Sequence, residues 1–429
     1  MNKRKTFFKS GITLVVSLLF FLNTSLAQNT KPVSGSWIGL LELNDSLTHP
    51  LTFNFELKNT TGNWKMTIVN GIEQIVVDEV VLKSDSLFIK MPVFDSEFKC
   101  ALVASDRKGD DSNTMKGVWI NHARKNKNII PFTAYVCAPI CKDEIEMSEE
   151  HFSASGNWEC DFSPGTKDAS KAKGVFSQPI PSKPILGTFL TETGDYRFLS
   201  GTSNSEKWFS LSCFDGSHAF LFTGKVKEDS IIDGHFYSGS HHHETWVAKR
   251  NDKFQLRNPD SLTYLKPGFT KVDFNFKNLE GKNVSLQDEK FKNKVVIIQI
   301  MGTWCPNCMD ETKFLAPFYD KYNSKGLEVV ALAFERTDDF NKAVSNIQRS
   351  KTRFNAKYEF LITMKTGKDQ ASEALPMLNE VMAFPTTIYI DKKGVVRKIY
   401  TGFNGPATGD AHTKFVEETT RFVEKLLAE

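Results

Sequence analysis

The chain of 429 residues carries 54 Lys and Arg against 51 Asp and Glu, with 40% apolar and 24% charged residues. Thirty-five Phe and seven Trp argue against a disordered chain, which lacks aromatics, and the length suits two or three domains, each with its own core. Four of the positive charges (Lys3, Arg4, Lys5 and Lys9) sit at the extreme N terminus, and without them the balance is 50 against 51. A general affinity for nucleic acid through a basic surface has no basis in that balance.

The first element is a leader. Lys3, Arg4 and Lys5 precede an apolar stretch from Gly11 to Leu22, and Asn23-Thr24-Ser25-Leu26-Ala27 follows with small residues at the two peptidase-read positions. This pattern predicts a secretory signal peptide over residues 1–27, cut after Ala27. The apolar run is short against the ~20 residues of a membrane span; the alternative is an uncleaved N-terminal anchor. The rest of the chain is then expected outside the cytoplasm, where disulfides form and persist.

Residues 28–255 are predicted to be all-β. Segments alternate in period two at Trp37 to Glu42, Leu51 to Leu57, Trp64 to Val69, Ile75 to Leu82 and Leu87 to Met91, with clusters such as Lys58-Asn59-Thr60-Thr61-Gly62-Asn63 between them. That rhythm is an antiparallel meander, closed as a barrel or stacked as a sandwich. Gly-x-Trp recurs at Gly35–Trp37, Gly62–Trp64, Gly117–Trp119 and Gly156–Trp158. The first and last open runs of strands about 100 residues long, which suggests two units, about 30–145 and 150–255; one large barrel or sandwich fits equally.

Residues 251–268 read as a polar linker, placing the boundary at 256–268 and a second domain at 269–429. From there strand and helix alternate: a strand Val272 to Phe276, a continuously apolar strand Val295 to Ile300, and a helix from about Cys305 to Asn323. A strand Val329 to Phe334, a helix Asp338 to Lys351, a strand Tyr358 to Ile362 and a short helix Ala371 to Leu378 follow. A hairpin (Thr386 to Ile390, Val396 to Thr401) and a helix His412 to Leu427 close the chain. This alternation predicts a sheet covered by helices.

Trp304-Cys305-Pro306-Asn307-Cys308 joins the buried strand to the helix. Cys305 falls at the helix N terminus, where free N–H groups and the helix dipole favour a thiolate. Cys308 is one turn on, within reach of a disulfide, and Pro306 fits the first turn. The pattern predicts thiol–disulfide exchange through a redox-active Cys305/Cys308 pair. A zinc site would need a further pair of ligands, and His412 is the sole His after residue 265; no metal and no cofactor are expected.

Residues 265–429 resemble a thioredoxin-fold domain of the TlpA/ResA-like group. The resemblance rests on Cys-x-x-Cys after a strand, on Glu311 completing Cys-x-x-Cys-x-x-Glu, on Phe384-Pro385-Thr386 before a strand, and on helix-and-strand material between Asp338 and Leu378 inserted in the core. It implies a cis peptide bond at Pro385 facing the disulfide, and Glu311 below it as proton acceptor for Cys308. It also implies a partner-binding surface with Trp304, Pro306, Phe384 and Pro385. Cytosolic thioredoxins carry a buried Asp where this chain has Gln299, which cannot move a proton. Thr193-Gly194-Asp195-Tyr196-Arg197-Phe198-Leu199 and Phe214-Asp215-Gly216-Ser217-His218-Ala219-Phe220 resemble the β-domain carried by some secreted Bacteroidetes-type redox proteins. The group implies a periplasmic reductant of protein disulfides, recharged by a membrane donor of the CcdA or DsbD type. Pro306 after the nucleophile also occurs in strong oxidants of this fold, so disulfide donation stays open.

Other residues offer competing readings. Cys100, Cys137, Cys141, Cys160 and Cys213 are odd in number; Cys137-Ala138-Pro139-Ile140-Cys141 is expected as a local structural bridge. Of His241, His242 and His243, the first and third could converge on a metal if the run is a strand, but a solvated turn is expected. A peroxidase would need a Thr three residues before its Cys, whereas Thr303 lies two before Cys305. A binding protein dominated by its β-rich part is the remaining alternative.

Overall fold

The computed structural model describes residues 31–44, 50–105, 113–137, 153–180 and 183–429. The expected leader 1–27 lies outside them, as does Cys141 and with it the expected bridge to Cys137. Among the described residues no helix is long and apolar enough to cross a membrane.

The first eight strands form a closed antiparallel barrel: β1 Gly35–Leu41, β2 Leu51–Thr60, β3 Asn63–Asn70, β4 Glu73–Lys83, β5 Ser86–Lys90, β6 Ser96–Ala104, β7 Asn113–Asn121 and β8 Ile129–Val136. Alternation sets the inside: Phe53, Phe55 and Leu57 on β2 are buried while Thr52 and Asn54 are exposed, the period-two signature of a half-buried strand. Pairing of β1 with β8 closes the ring and leaves no open edge.

A second sheet is built from β9 Gly156–Phe162, β10 Ser170–Ser177, β11 Ile185–Thr191, β12 Gly194–Asp195, β13 Leu199–Ser203, β14 Trp208–Phe214, β15 Ala219–Lys227, β16 Ser230–Ser238 and β17 His242–Arg250. Because β10 pairs with both β9 and β11, this sheet also runs round into a ring. Two separate closed sheets are therefore present. The Gly-x-Trp echo takes one shared local geometry at two of its four sites. Trp37 and Trp158 are buried on the first strand of each ring, and each indole donates to the carbonyl four residues earlier, Val33 at 3.0 Å and Ala154 at 2.9 Å. The preceding Gly35 and Gly156 both have positive φ, 147° and 125°, a backbone that suits glycine.

The C-terminal part is a seven-stranded sheet in the order β19-β18-β22-β21-β20-β23-β24. It comprises β18 Asn275–Asn278, β19 Asn283–Ser285, β20 Val295–Met301, α1 Pro306–Tyr322, β21 Leu327–Ala333, α2 Phe340–Phe354, β22 Glu359–Ile362, α3 Gly367–Ala374, β23 Thr386–Ile390, β24 Val396–Thr401 and α4 Asp410–Ala428. Every residue of β20 is buried, as an apolar run covered on both faces should be. β20, β21 and β22 are parallel, whereas β23 runs antiparallel to β20. The expected insertion supplies α2, β22 and α3, which add a strand beside β21.

Two local expectations shift. The strand expected at 272–276 lies at Asn275–Asn278, because Val272 and Phe274 instead fill the core from irregular chain. The helix expected at 371–378 spans Gly367–Ala374; Leu375, Met377 and Leu378 are buried beyond its end. The polar stretch before residue 268 is not a free tether: Leu262 and Thr263 are buried, and the Thr263 N–H donates to Thr401 Oγ1 at 3.0 Å.

Candidate active site

Strand β20 delivers the chain to a tight turn at Gly302–Trp304, where a Cβ on Gly302 would fall 2.3 Å from Trp304 Nε1. Cys305 is the N-cap of α1, in extended conformation, and its sulfur accepts from the Cys308 N–H at 3.3 Å. Pro306 occupies the first turn, where a missing N–H costs nothing. The two sulfur atoms are 2.6 Å apart, with the Cys308 thiol donating to Cys305. Cys305 is 7% exposed and Cys308 fully buried. Burial, followed by contact with Cys305, pushes the Cys308 thiol well above its ordinary pKa.

The opposite wall is the Phe384–Pro385 turn, whose peptide bond is cis. The Cys305 thiol donates to the Phe384 carbonyl at 3.3 Å. Trp304 and Phe384 meet edge to face, centroids 5.5 Å apart at 79°, a favoured aromatic geometry. The indole of Trp304 donates to the Phe334 carbonyl at 2.9 Å. Cys305, Trp304, Pro306 and Phe384 thus gather around one point, and Pro385 joins them through its peptide bond to Phe384.

Beneath Cys308, on the next turn of α1, Glu311 is buried. One carboxyl oxygen accepts from Thr387 Oγ1 at 2.5 Å and the other has no hydrogen-bond partner. Burial raises this carboxyl from 4.5 to about 7, against the opposing hydrogen bonds of Thr387 and Gln299. Gln299, also buried, donates to the Cys308 carbonyl at 3.2 Å. A folded-state pKa above the unfolded one means that folding favours the protonated acid. Its stabilisation is complete below pH 4.5 and fades as pH rises through 7, by up to roughly 3 kcal/mol for such a shift. Glu311→Gln should therefore leave stability near pH 4.5 almost unchanged and raise it at pH 8. Urea unfolding at the two pH values checks this; an equal change at both would contradict a neutral buried Glu311.

Residues from the second β-ring also reach the redox helix. The turn Phe214–His218 between β14 and β15 plugs the first barrel: Phe214 packs on Phe53 at 4.7 Å and on Trp119 at 5.1 Å, and Asn70 and Asn121 donate to the Phe214 and Ser217 carbonyls at 3.0 Å each. From that turn Ser217 Oγ donates to the Trp304 carbonyl at 2.9 Å. Asn307, between the two cysteines, donates to the Asp195 carbonyl at 3.1 Å. The Asp195 carboxylate accepts from Gly405 N–H at 2.7 Å. Arg197, with a positive φ of 64°, is buried among Glu73 of β4 at 2.8 Å, Asp215 at 3.6 Å and Asp310 of α1. Although burial opposes its charge, the carboxylates of Glu73 and Asp215 hold the guanidinium protonated. Sequence reasoning missed Asp195, Arg197, Ser217, Asn307 and Asp310 as site neighbours. The signal was nevertheless present, since the first three lie in the two stretches that carried the resemblance of the β-rich part.

The competing candidates fall elsewhere. Thr303 commits its N–H and hydroxyl to the buried Glu335 carboxylate, at 2.7 and 2.6 Å. The solvated turn expected at His241–His243 is corrected: only His241 lies in a turn, while His242 and His243 open strand β17, and His241 and His243 do not converge. His241 lies in a turn against Arg124 at 2.8 Å, and His243 pairs with His235 at 3.0 Å across β16 and β17. Among the described residues Cys100, Cys160 and Cys213 are buried thiols without disulfide partners, and burial pushes Cys100 and Cys160 up to about 12.

A thioredoxin-like sheet with paired cysteines at the start of its first helix defines a redox class, and comparison with known proteins agrees. The Redoxin family matches residues 266–414. The chain is 30% identical over 154 residues to the thiol-disulfide oxidoreductase ResA of Bacillus thuringiensis subsp. konkukian, covering 36% of this chain and 76% of that protein. It is 31% identical over 140 residues to ResA of Geobacillus thermodenitrificans, covering 33% and 72%. Among solved structures, a thiol:disulfide interchange protein of the thioredoxin family from Chlorobium tepidum is 21% identical over 34% of this chain and 94% of that one, with a TM-score of 0.26. The chain belongs to the ResA-like family of thioredoxin-fold proteins and is a thiol-disulfide oxidoreductase.

Proposed function

We propose that Cys305 and Cys308 are the exchanging pair, and that the protein reduces disulfides of other proteins in the periplasm. The Cys305 thiolate attacks one sulfur of a target disulfide. The S–S bond breaks, one target thiolate leaves, and a mixed disulfide forms. Cys308 gives its proton to the ionised form of Glu311, which burial leaves only partly populated near pH 7, and attacks the Cys305 sulfur, releasing the second target thiolate and leaving Cys305–Cys308 oxidised. Two electrons from a CcdA- or DsbD-type membrane donor reset the pair. Trp304, Pro306, Phe384 and Pro385 form the surface that receives the partner chain.

The observation that carries the exchange is the approach of the two sulfur atoms to 2.6 Å, with Cys308 fully buried behind the more exposed Cys305. The reductant direction follows the resemblance to the ResA-like group, and the cations near Cys305 would pull the potential the other way by favouring its thiolate. The equilibrium reduction potential against glutathione tests this. A value near thioredoxin's, about −270 mV, is expected, and one near −120 mV would assign disulfide donation instead.

A further inference from the structure

The ground around Cys305 is positively charged, and the charges come from both parts of the chain. Arg336 places its guanidinium 3.6 Å from the centre of the Trp304 ring. Lys368, before the Phe384–Pro385 wall in sequence and exposed, is within electrostatic reach of the Cys305 sulfur, as is Arg336. From the loop after β7 of the first barrel, Arg124 comes within reach of Arg336 and donates to His241 Nε2 at 2.8 Å. Burial and the adjacent guanidinium of Arg124 keep His241 neutral, at about 4.

Among the described residues, none of these three cations has a carboxylate at salt-bridge distance. The acids nearby are already engaged. Asp95 is held by Lys342 at 3.1 Å, Glu97 by His122 and Lys99 at 2.9 Å each, and Glu335 by both donors of Thr303. Asp369 and Glu380 act on Lys368, and Glu335 on Arg336, without forming a salt bridge. Like charges kept together without a salt-bridged counter-charge repel one another, and a cleft lined by one sign focuses its field on an incoming charge of the other sign. Here the field sits over the sulfur that meets the partner.

We propose that Arg124, Arg336 and Lys368 form a cationic rim that recognises an acidic polypeptide segment next to the target disulfide, so that the β-rich part helps select the partner. This rests on Cys305 being the attacking thiol. A polypeptide is the fitting anion because the rim adjoins the carbonyl of Phe384 and the ring of Trp304, a backbone acceptor and an apolar plate suited to an extended chain.

The test compares two peptides, each with one internal disulfide, flanked in one by Asp and Glu and in the other by Lys. The full chain in its reduced form is used, and kcat/KM is measured at ~20 mM and ~500 mM salt. The acidic peptide should be favoured by at least about tenfold at low salt, with the ratio falling toward one at high salt. Arg336→Gln with Lys368→Gln should abolish the preference, and Arg124→Gln alone should reduce it. Because the readout is a ratio, any altered reactivity of the thiol cancels. Equal rates for both peptides, or a preference that survives in the double variant, would overturn the rim. Neutral bis(2-hydroxyethyl) disulfide separates the two claims: failure to react with it or with either peptide would overturn Cys305 as the nucleophile, and the rim with it.

Discussion

Cys305→Ser should lower the rate of disulfide exchange by at least about 10³-fold, since loss of a nucleophile that forms a covalent intermediate removes the reaction path. The hydroxyl of Ser is a far poorer nucleophile near neutral pH, even where the Cys308 N–H would still donate to it. Cys308→Ser should behave differently. Cys305 would still attack, but with no second thiol beside it among the described residues to resolve the mixed disulfide, the partner should stay attached. Insulin reduction followed by non-reducing gel electrophoresis distinguishes the two. Substantial turnover by Cys305→Ser, or free release of substrate by Cys308→Ser, would show that the roles are misassigned. A fold defect would appear equally in both variants, so the contrast between them is the informative quantity.

The largest expected effect on stability is at Arg197. Its guanidinium meets carboxylates from the first barrel, the second ring and the redox helix, and its side chain is 6% exposed. Removing one partner from a buried ionic cluster strands the others without compensation, at a cost of about 3–5 kcal/mol. Arg197→Ala should lose that much in denaturant unfolding, and a second change, Asp310→Asn, should recover part of it by removing one stranded charge. A loss below about 1 kcal/mol would mean that the three carboxylates are not held by this cation. Because Arg197 touches α1 five residues after Cys305, the variant should also alter the reactivity of the cysteine pair, readable as its rate of alkylation.

The chemistry was legible in the sequence because its determinants are local. Cys305, Pro306, Cys308 and Glu311 fall within two turns of one helix, and a strand-to-helix junction can be read from a change of hydrophobic period. Pro385 is distant in sequence, and its place beside Cys305 followed from the resemblance. The strands of the first barrel were legible for a similar reason: alternation along β2 or β3 is set by the side chains of that strand alone. Closure into two rings was not, since pairing of β1 with β8, or of β10 with β11, depends on register between distant segments. The contacts of Ser217 with Trp304 and of Asp195 with Asn307 span 87 and 112 residues. Polar residues in turns satisfy many partners equally well on paper, and three-dimensional placement decides between them. The shifted α3 has a related cause: Leu375, Met377 and Leu378 mimic a helical apolar face, yet they reach the core from chain that has already left the helix.

In the mechanism proposed, Cys305 and Cys308 cycle between two thiols and one disulfide. Equilibrating the full chain in glutathione buffers of graded potential, alkylating the free thiols and weighing the peptides by mass spectrometry tests it most directly. These two cysteines alone should convert together in a single two-electron step, with Cys100, Cys160 and Cys213 remaining thiols throughout. A Cys305/Cys308 pair that stays in one state across the whole range, or whose electrons pass to another cysteine, would contradict it.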